Sequence, residues 1–190
     1  FSNKARTSGN FNTSKLMDAG RMDIACHVLI NAFFLSHKIR EDTKLHLVFN
    51  GPPNPPMHLE IFPEGKKSSG SISLSKKDVA NLIKKLLYKY QKDKKVVVEE
   101  GYSVEKKSLF KVVEELIIRG KTIFVLDSKG DNIRDVKFDD DCVFIIADQD
   151  GFPKKELKKL KSLGVSLSVG KKIYFASQVV TIINHELDFQ

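Results

Sequence analysis

Four of the six prolines in this chain fall between Gly51 and Pro56, in the stretch "FNGPPNPPMHLEIF" from Phe49 to Phe62. A proline ring locks φ, removes the backbone N–H donor and drives the preceding residue out of the α region, so neither a helix nor the interior of a sheet can pass through these positions. The stretch has to be a stiff, extended turn. On either side, "KLHLVFN" (Lys44 to Asn50) and "MHLEIF" (Met57 to Phe62) alternate apolar and polar residues, which predicts two strands beside a rigid connection.

Around that turn the periodicities are mostly helical. The spacing of Met22, Ala25, Leu29, Ala32, Phe33 and Leu35 predicts one long, mostly buried helix from Arg21 to Ile39. "GKKSSGSISLS" has loop composition, and Ser75 at its end is a good cap for the next helix, "KKDVANLIKKLLYKYQK", whose apolar stripe is Val79, Leu82, Ile83, Leu86 and Leu87. A third helix spans roughly Lys107 to Ile118 and stops at Gly120, where a left-handed cap suits glycine. "KTIFVLD" (Lys121 to Asp127) and "CVFIIAD" (Cys142 to Asp148) are short continuous apolar runs, as expected of parallel strands covered on both faces. "PKKELKKLKSLG" is a helix punctuated by Pro153 and Gly164, "VSLSVG" a last short strand, and Ile173 to Phe189 a closing apolar helix. Strands alternating with helices make the class α/β, and 190 residues suit one domain with one substantial core. The opening "FSNKA" reads as a first strand short of its leading residues.

An apolar fraction of 41% and a charged fraction of 29% are those of a globular chain, which excludes disorder over most of its length. A net charge of +8 suits a polyanionic partner, because each lysine or arginine that neutralises a phosphate releases counterions, and equally suits lysine-rich faces that only keep the chain in solution. Lysines 84, 85, 89, 92, 94 and 95 read equally as phosphate contacts or as a solvated helix face. Cys26 and Cys142 have neither CxxC nor zinc spacing, so they read as two buried thiols in a reducing compartment. With no apolar run of membrane length and no signal-like start, a cytoplasmic location is expected. His27, His37, His46, His58 and His185 show no metal spacing, and no metal is expected.

No GxGxxG, P-loop or GxSxG motif is present, which removes the usual sequence support for a Rossmann dinucleotide site, a nucleotide-phosphate loop or a serine hydrolase. Ligands of open parallel sheets bind beyond the carboxyl ends of the strands. Three glycine-containing loops leave such ends: "LDSKGD" after Leu126, "ADQDGFP" after Ala147 and "SVGKK" after Ser168. In "GRMD", Asp23 and Arg21 fall within one turn of a helix start, where a carboxylate is stabilised by the helix dipole. "SHKIRED", with Arg40, ends the same predicted helix with basic residues favoured there.

Taken in order, "GRMD", "NAFFLSHKIREDTKLHLVFNGPPNPP", "ADQDG" and "SLSVGKKIYFASQVVTIINHELD" resemble the TrmY family of tRNA pseudouridine N1-methyltransferases, within the SPOUT superfamily of RNA methyltransferases. The likeness runs nearly the whole chain and is most specific over Asn31 to Pro56. It implies a SPOUT-type sheet flanked by helices, with a C-terminal trefoil knot over approximately residues 121 to 190. It further implies S-adenosylmethionine as cofactor, a homodimer, and methylation of N1 of the pseudouridine at position 54 in the TψC loop of tRNA. Carried over residue by residue, the cofactor would meet Leu126, Ala147, Val169, Gly170, Lys171, Lys172, Ile173, Tyr174 and Val179. Ala147 and Val179 stand where the family has glycine and cysteine, and "NHELD" interchanges Asn184 and His185.

On the substrate side, Asp23 is the expected proton acceptor or reader of the N1–H. Arg21 and Arg40 are expected on phosphate or developing charge, and Asn50 and Asn54 on the base. A related enzyme acting on another RNA, such as a ribosomal pseudouridine, and an RNA-binding or assembly protein without catalysis remain as alternatives.

Overall fold

A computed structural model describes residues 1–63 and 75–190. The loop expected at "GKKSSGSISLS" lies outside the described residues except for Ser75. The chain divides into two compact units, Ser2–Ser108 and Leu109–Gln190, the second joined by Phe1.

In the first unit a short 3-10 helix, Leu16–Ala19, precedes α1, Met22–Phe33. Gly20 and Arg21 both take left-handed φ, +70° and +64°, and make the sharp turn between them. Helix α1 is shorter than the sequence predicts. The Phe34 N–H still bonds the Ile30 carbonyl, but Leu35 then bonds Lys38, Arg40 bonds back to Phe33, and Phe34 bridges Ile39. Ser36 and His37 at the tip favour such a turn over another helical turn.

The proline stretch joins β1, Leu45–Phe49, to β2, Met57–Ile61, which pair antiparallel from Leu45 opposite Ile61 to Phe49 opposite Met57. The expected rigid connection is therefore a hairpin loop, and it is anchored from outside. Asn50 donates to the Ser2 carbonyl at 2.8 Å and Gly51 to the Ala5 carbonyl at 3.0 Å. The Thr7 hydroxyl, buried, donates to the Gly51 carbonyl and accepts from the Asn54 N–H at 2.7 Å. Gly51 is required by close approach, since a Cβ there would stand 2.2 Å from the Lys4 carbonyl oxygen. Ser2 bridges Phe49 in parallel, the only strand pairing the opening segment makes among the described residues.

Ser75 caps α2, Lys76–Tyr88, by accepting from the Asp78 N–H at 3.1 Å. A hairpin follows that the sequence reading left unassigned: β3, Val96–Glu99, and β4, Tyr102–Glu105, turn at Gly101. The resulting sheet is wholly antiparallel, in the order β1-β2-β4-β3. The β-branched run "KVVV" ahead of a glycine turn was the available signal.

The second unit holds α3, Leu109–Ile118, ending at a left-handed Gly120, then β5, Thr122–Asn132, β6, Cys142–Ile145, α4, Lys154–Lys161, β7, Val165–Ser168, and α5, Ala176–Leu187. Its sheet is parallel, in the order β6-β5-β7. Phe124, Ile133, Leu167, Val179 and Ile183 form its core. The expectation of parallel strands thus holds for this unit, although β6 is only half-buried. Helix α5 begins three residues later than predicted, where the Gln178 side chain accepts from the Phe175 N–H at 3.0 Å and sets the first turn. Ile173 to Phe175 lie outside it and are exposed. The class is mixed α/β with two sheets and five α-helices among the described residues.

Candidate functional site

Because β5, β6 and β7 are parallel neighbours, their carboxyl ends share one edge, where the loops after Ala147 and Ser168 leave; "LDSKGD", expected as a loop after Leu126, is instead the second half of β5. Strand β5 has an irregular passage: Leu126 pairs with Leu167, and four residues are displaced before Asp131 pairs with Leu167 again. Within it Asp127 accepts from the Lys129 N–H at 3.0 Å and pairs with Lys161 of α4, and that lysine holds its carboxyl below the usual range. At the end of β7, buried Ser168 exchanges two 3.2 Å hydrogen bonds with Gly170. Gly170 has φ +133°, and nothing stands within 4 Å of where its Cβ would be, so there is open space beside the backbone. Lys171, Lys172, Ile173 and Tyr174 are exposed beyond it. Val179 is buried in the core with Phe124 and Leu167, and Leu126 and Val169 pack against that core. Of the expected cofactor residues, Leu126, Ala147 and Val169–Tyr174 therefore gather along the edge, and Val179 lies within the core that carries it.

The residues at this edge suit a polar ligand in one further respect. Asp148, directly after Ala147, uses Oδ1 to accept from the Asp150 N–H at 3.0 Å, while Oδ2 is buried with no hydrogen-bond partner among the described residues. The Phe1 ammonium, which donates to the Ile146 carbonyl at 2.8 Å, already lends this carboxylate a positive charge, and a donor brought by a ligand would satisfy the oxygen that has no hydrogen bond. Sequence reasoning passed over Asp148, although it sits in the quoted "ADQDG".

In the first unit, Arg21 and Asp23 form a bidentate pair, Nε to Oδ1 and Nη2 to Oδ2, both 3.0 Å. Asp23 is 8% exposed, and the guanidinium bond holds its carboxyl below the usual carboxylate range. Fork-to-fork geometry fixes the guanidinium plane as well as the charge. Arg40 is buried in the turn after α1, its Nη1 3.4 Å from Asp42, so it is not displayed on the surface. Asn50 is half-buried and Asn54 exposed, both on the anchored proline loop.

The lysine stripe separates. Lys84 donates to the Phe11 carbonyl at 2.7 Å, Lys85 pairs with Glu99, and Lys95 pairs with Glu60 at 3.2 Å. Lys89, Lys92 and Lys94 are exposed and make no ion pair among the described residues. His46 and His58 stack, with Nδ1 of His46 2.9 Å from Nε2 of His58, and His58 Nδ1 lies 3.2 Å from Glu105. Among the described residues no group of three or more His, Cys, Asp or Glu is placed to hold a metal ion, and no helix is long and apolar enough to cross a membrane.

Burial, with His58 next to it, pushes His46 down to about 4, and burial lowers His58 as well against the opposing pull of Glu105. Between pH 6.5 and about 4 the unfolded chain therefore binds protons that the folded chain refuses, so stability falls as pH falls through this window. The loss belongs to the stacked His46–His58 pair as a unit, since each ring resists the protonation of the other. Urea unfolding at pH 7 and pH 5 should show this loss, and His46→Gln should flatten it. An unchanged midpoint would sink the assignment.

The model of the SAM-dependent RNA methyltransferase family matches residues 1–190. The chain is 31% identical over 191 residues to the tRNA (pseudouridine(54)-N(1))-methyltransferase of Thermococcus gammatolerans, covering 98% of this chain and 93% of that protein. It is 33% identical over 195 residues to the protein of the same name from Methanosarcina acetivorans, covering 97% and 87%. Among solved structures, Archaeoglobus fulgidus Nep1 bound to S-adenosylhomocysteine has a similar fold, with a TM-score of 0.60 at 16% identity over 94% of this chain and 80% of that one. The parallel edge with its converging loops and the match over the full length agree, and this chain belongs to the SAM-dependent RNA methyltransferase family.

Proposed function

We propose that this chain transfers a methyl group from S-adenosylmethionine to N1 of pseudouridine 54 in the TψC loop of tRNA. The observation that carries the reading is the near-full-length similarity to several proteins that bear that activity as their name. S-adenosylmethionine supplies a methyl group already activated on a sulfonium, so the protein's work is alignment, exclusion of water and handling of one proton.

In this reading the backbone at Leu126, Ala147 and Val169–Tyr174 holds the cofactor, Val179 supports that edge from the core, and Asp148 Oδ2 accepts from a donor on the cofactor. The knot expected over residues 121 to 190 belongs to the reading. Pseudouridine has a free N1–H, whereas uridine uses that nitrogen for its sugar, so a site that accepts one hydrogen bond selects the base. Asp23 is suited to that acceptance. The Arg21 guanidinium makes its carboxylate a weak base, which favours reading the N1–H over taking the proton outright, so the proton displaced as the N1–CH3 bond forms and the S–CH3 bond breaks leaves to solvent. Arg21, fixed by the pair, would stabilise negative charge that develops on the base. Arg40, buried, is suited to holding the end of α1, Asn50 to a contact with the reacting base, and Asn54, farther along the same loop, to a neighbouring one. A homodimer completes the reading, and exposed Ile173 and Phe175 provide apolar surface for it. The cytoplasm is the proposed compartment.

Mass spectrometry of tRNA after incubation with the protein, with and without prior pseudouridine formation at position 54, tests the reaction. Methylation only of the pseudouridine-containing tRNA is expected, and methylation confined to a ribosomal RNA would overturn the tRNA assignment. For the cofactor, Asp148→Asn should raise the calorimetric Kd for S-adenosylmethionine about tenfold, the equivalent of roughly 1.4 kcal/mol for one hydrogen bond to a charged group. An unchanged Kd would remove Asp148 from the site.

A further inference from the structure

At one end of the four-stranded sheet three separate connections meet. The hairpin loop after Phe49 ends at Met57, β2 pairs with β4 from His58 opposite Glu105, and β3 begins with Val96 opposite Val104. The loop 50–56, the turn from α2 into β3 and Lys106 after β4 therefore leave the sheet at the same end. Between them is an open cleft of about 360 Å³ lined, among the described residues, by Asn54, Tyr90, Lys92, Asp93 and Lys106. Its walls are restrained: buried Thr7 pins the backbone at Asn54, and Asp93 holds a left-handed φ of +59°.

The chemistry of the lining is mixed in a particular way. Lys92 and Lys106 are exposed cations that outnumber the one carboxylate, Asp93, and Lys89 and Lys94 are close in sequence to the same turn. Tyr90 contributes a half-buried aromatic ring, and Asn54 an exposed amide able both to donate and to accept. Cations for phosphate, a ring for stacking and an amide for a base edge are what single-stranded RNA requires of a protein. The volume lies at the lower end of the range for small-ligand sites, near what one nucleotide fills. The cleft is too open to exclude water, so it does not suit the methyl-transfer pocket itself.

We infer that this cleft is a second RNA contact, which takes one unpaired nucleotide outside the reacting base, with its phosphates on Lys92 and Lys106 and its base on Tyr90. The inference rests on the proposed RNA substrate and assigns it a further foothold. A folded tRNA loop that must turn out its target base has other unpaired nucleotides to place, and gripping one of them fixes the register of the target.

The test is tRNA binding measured across a salt series for the wild type, Lys92→Ala/Lys106→Ala and Tyr90→Ala, with Lys15→Ala/Lys137→Ala as a pair of equal charge elsewhere. Losing two phosphate contacts should lower the slope of log K against log salt by about 1.4 in the cleft pair, at roughly 0.7 per single-stranded phosphate. The control pair should not change it. Tyr90→Ala should weaken binding about tenfold with the wild-type slope, as loss of one stacked base does. Equal slopes in all variants, or the same drop in the control pair, would overturn the inference. Calorimetric S-adenosylmethionine binding and circular dichroism confirm that each variant is folded. The outcomes also separate the two claims: a wild type that methylates pseudouridine 54 while the cleft pair keeps its slope refutes only the cleft. A wild type with no methylation, but with slopes that differ as expected, refutes only the reaction.

Discussion

Asp23→Ala is expected to lower the rate of methyl transfer by about two to three orders of magnitude, the scale of removing one positioned charge stabiliser or hydrogen-bonding partner from a reacting centre. Both oxygens of Asp23 hold the Arg21 guanidinium, so the substitution removes the expected reader of N1–H and releases the arginine at once. It should also cost about 1 kcal/mol of stability, because Asp23 is buried while the Arg21 side chain, 36% exposed, stays accessible to water when the pair is broken. The two consequences are separable. If the pair acts as a unit, Arg21→Ala/Asp23→Ala should be little worse in kcat/KM than either single variant. Additive losses would show two independent roles, and an Asp23→Ala enzyme with the wild-type rate would end the assignment.

The largest effect on folding is expected from Gly20→Ala. Gly20 has φ +70°, and a Cβ there would lie 1.7 Å from the carbonyl oxygen of Lys4, a backbone atom that cannot step aside without moving the opening segment. Left-handed backbone costs about 1 to 2 kcal/mol for a residue with a Cβ, and overpacking adds about 1 to 3, so a loss of roughly 3 to 4 kcal/mol is expected. For a chain of this size that corresponds to about 10 °C in Tm. Because the same Lys4 carbonyl also lies against Gly51, the proline loop should loosen together with the turn into α1. Hydrogen exchange at Asn50, Gly51 and Asn54, whose N–H groups bond Ser2, Ala5 and Thr7, would report that coupling. A Gly20→Ala protein with unchanged Tm would refute the clash.

Ser75 and Gly120 show how far local chemistry was readable. A serine three residues ahead of a donor N–H and a glycine after the last apolar turn act in the structure as the sequence predicts, because capping involves only neighbouring residues. The end of α1 was not readable. The apolar spacing continues to Leu35, but the chain turns back through a bridge between Phe34 and Ile39, and periodicity reports which residues are buried rather than what buries them. The β3–β4 hairpin was missed for a related reason. Its outer strand is exposed at alternate residues, so "KVVVEEGYSVE" lacks the continuous apolar run of a covered strand.

The candidate cofactor edge was the more legible of the two functional regions. Glycine-containing stretches after three apolar strand runs already marked it, and parallel order then brought them to one edge, two as loops and "LDSKGD" as the irregular half of β5. The substrate side was legible as residue types, but their arrangement was not. Nothing in "GRMD" requires a bidentate pair, and Arg40 is sequestered in a turn that the sequence assigns to helix.

By itself the sequence determined the stiff turn at Gly51 to Pro56, the helices with strong stripes and the two apolar runs that became parallel strands, since each rests on steric or periodic rules acting over a few residues. Only the tertiary structure decided that the proline loop is held by Thr7 from the opening segment, that Asp148 keeps an oxygen without a donor, and that Asn54, Tyr90 and Lys106 share one cleft. The first and last of these join residues tens of positions apart, and the second depends on what the fold packs around Asp148, so only the packed chain settles them.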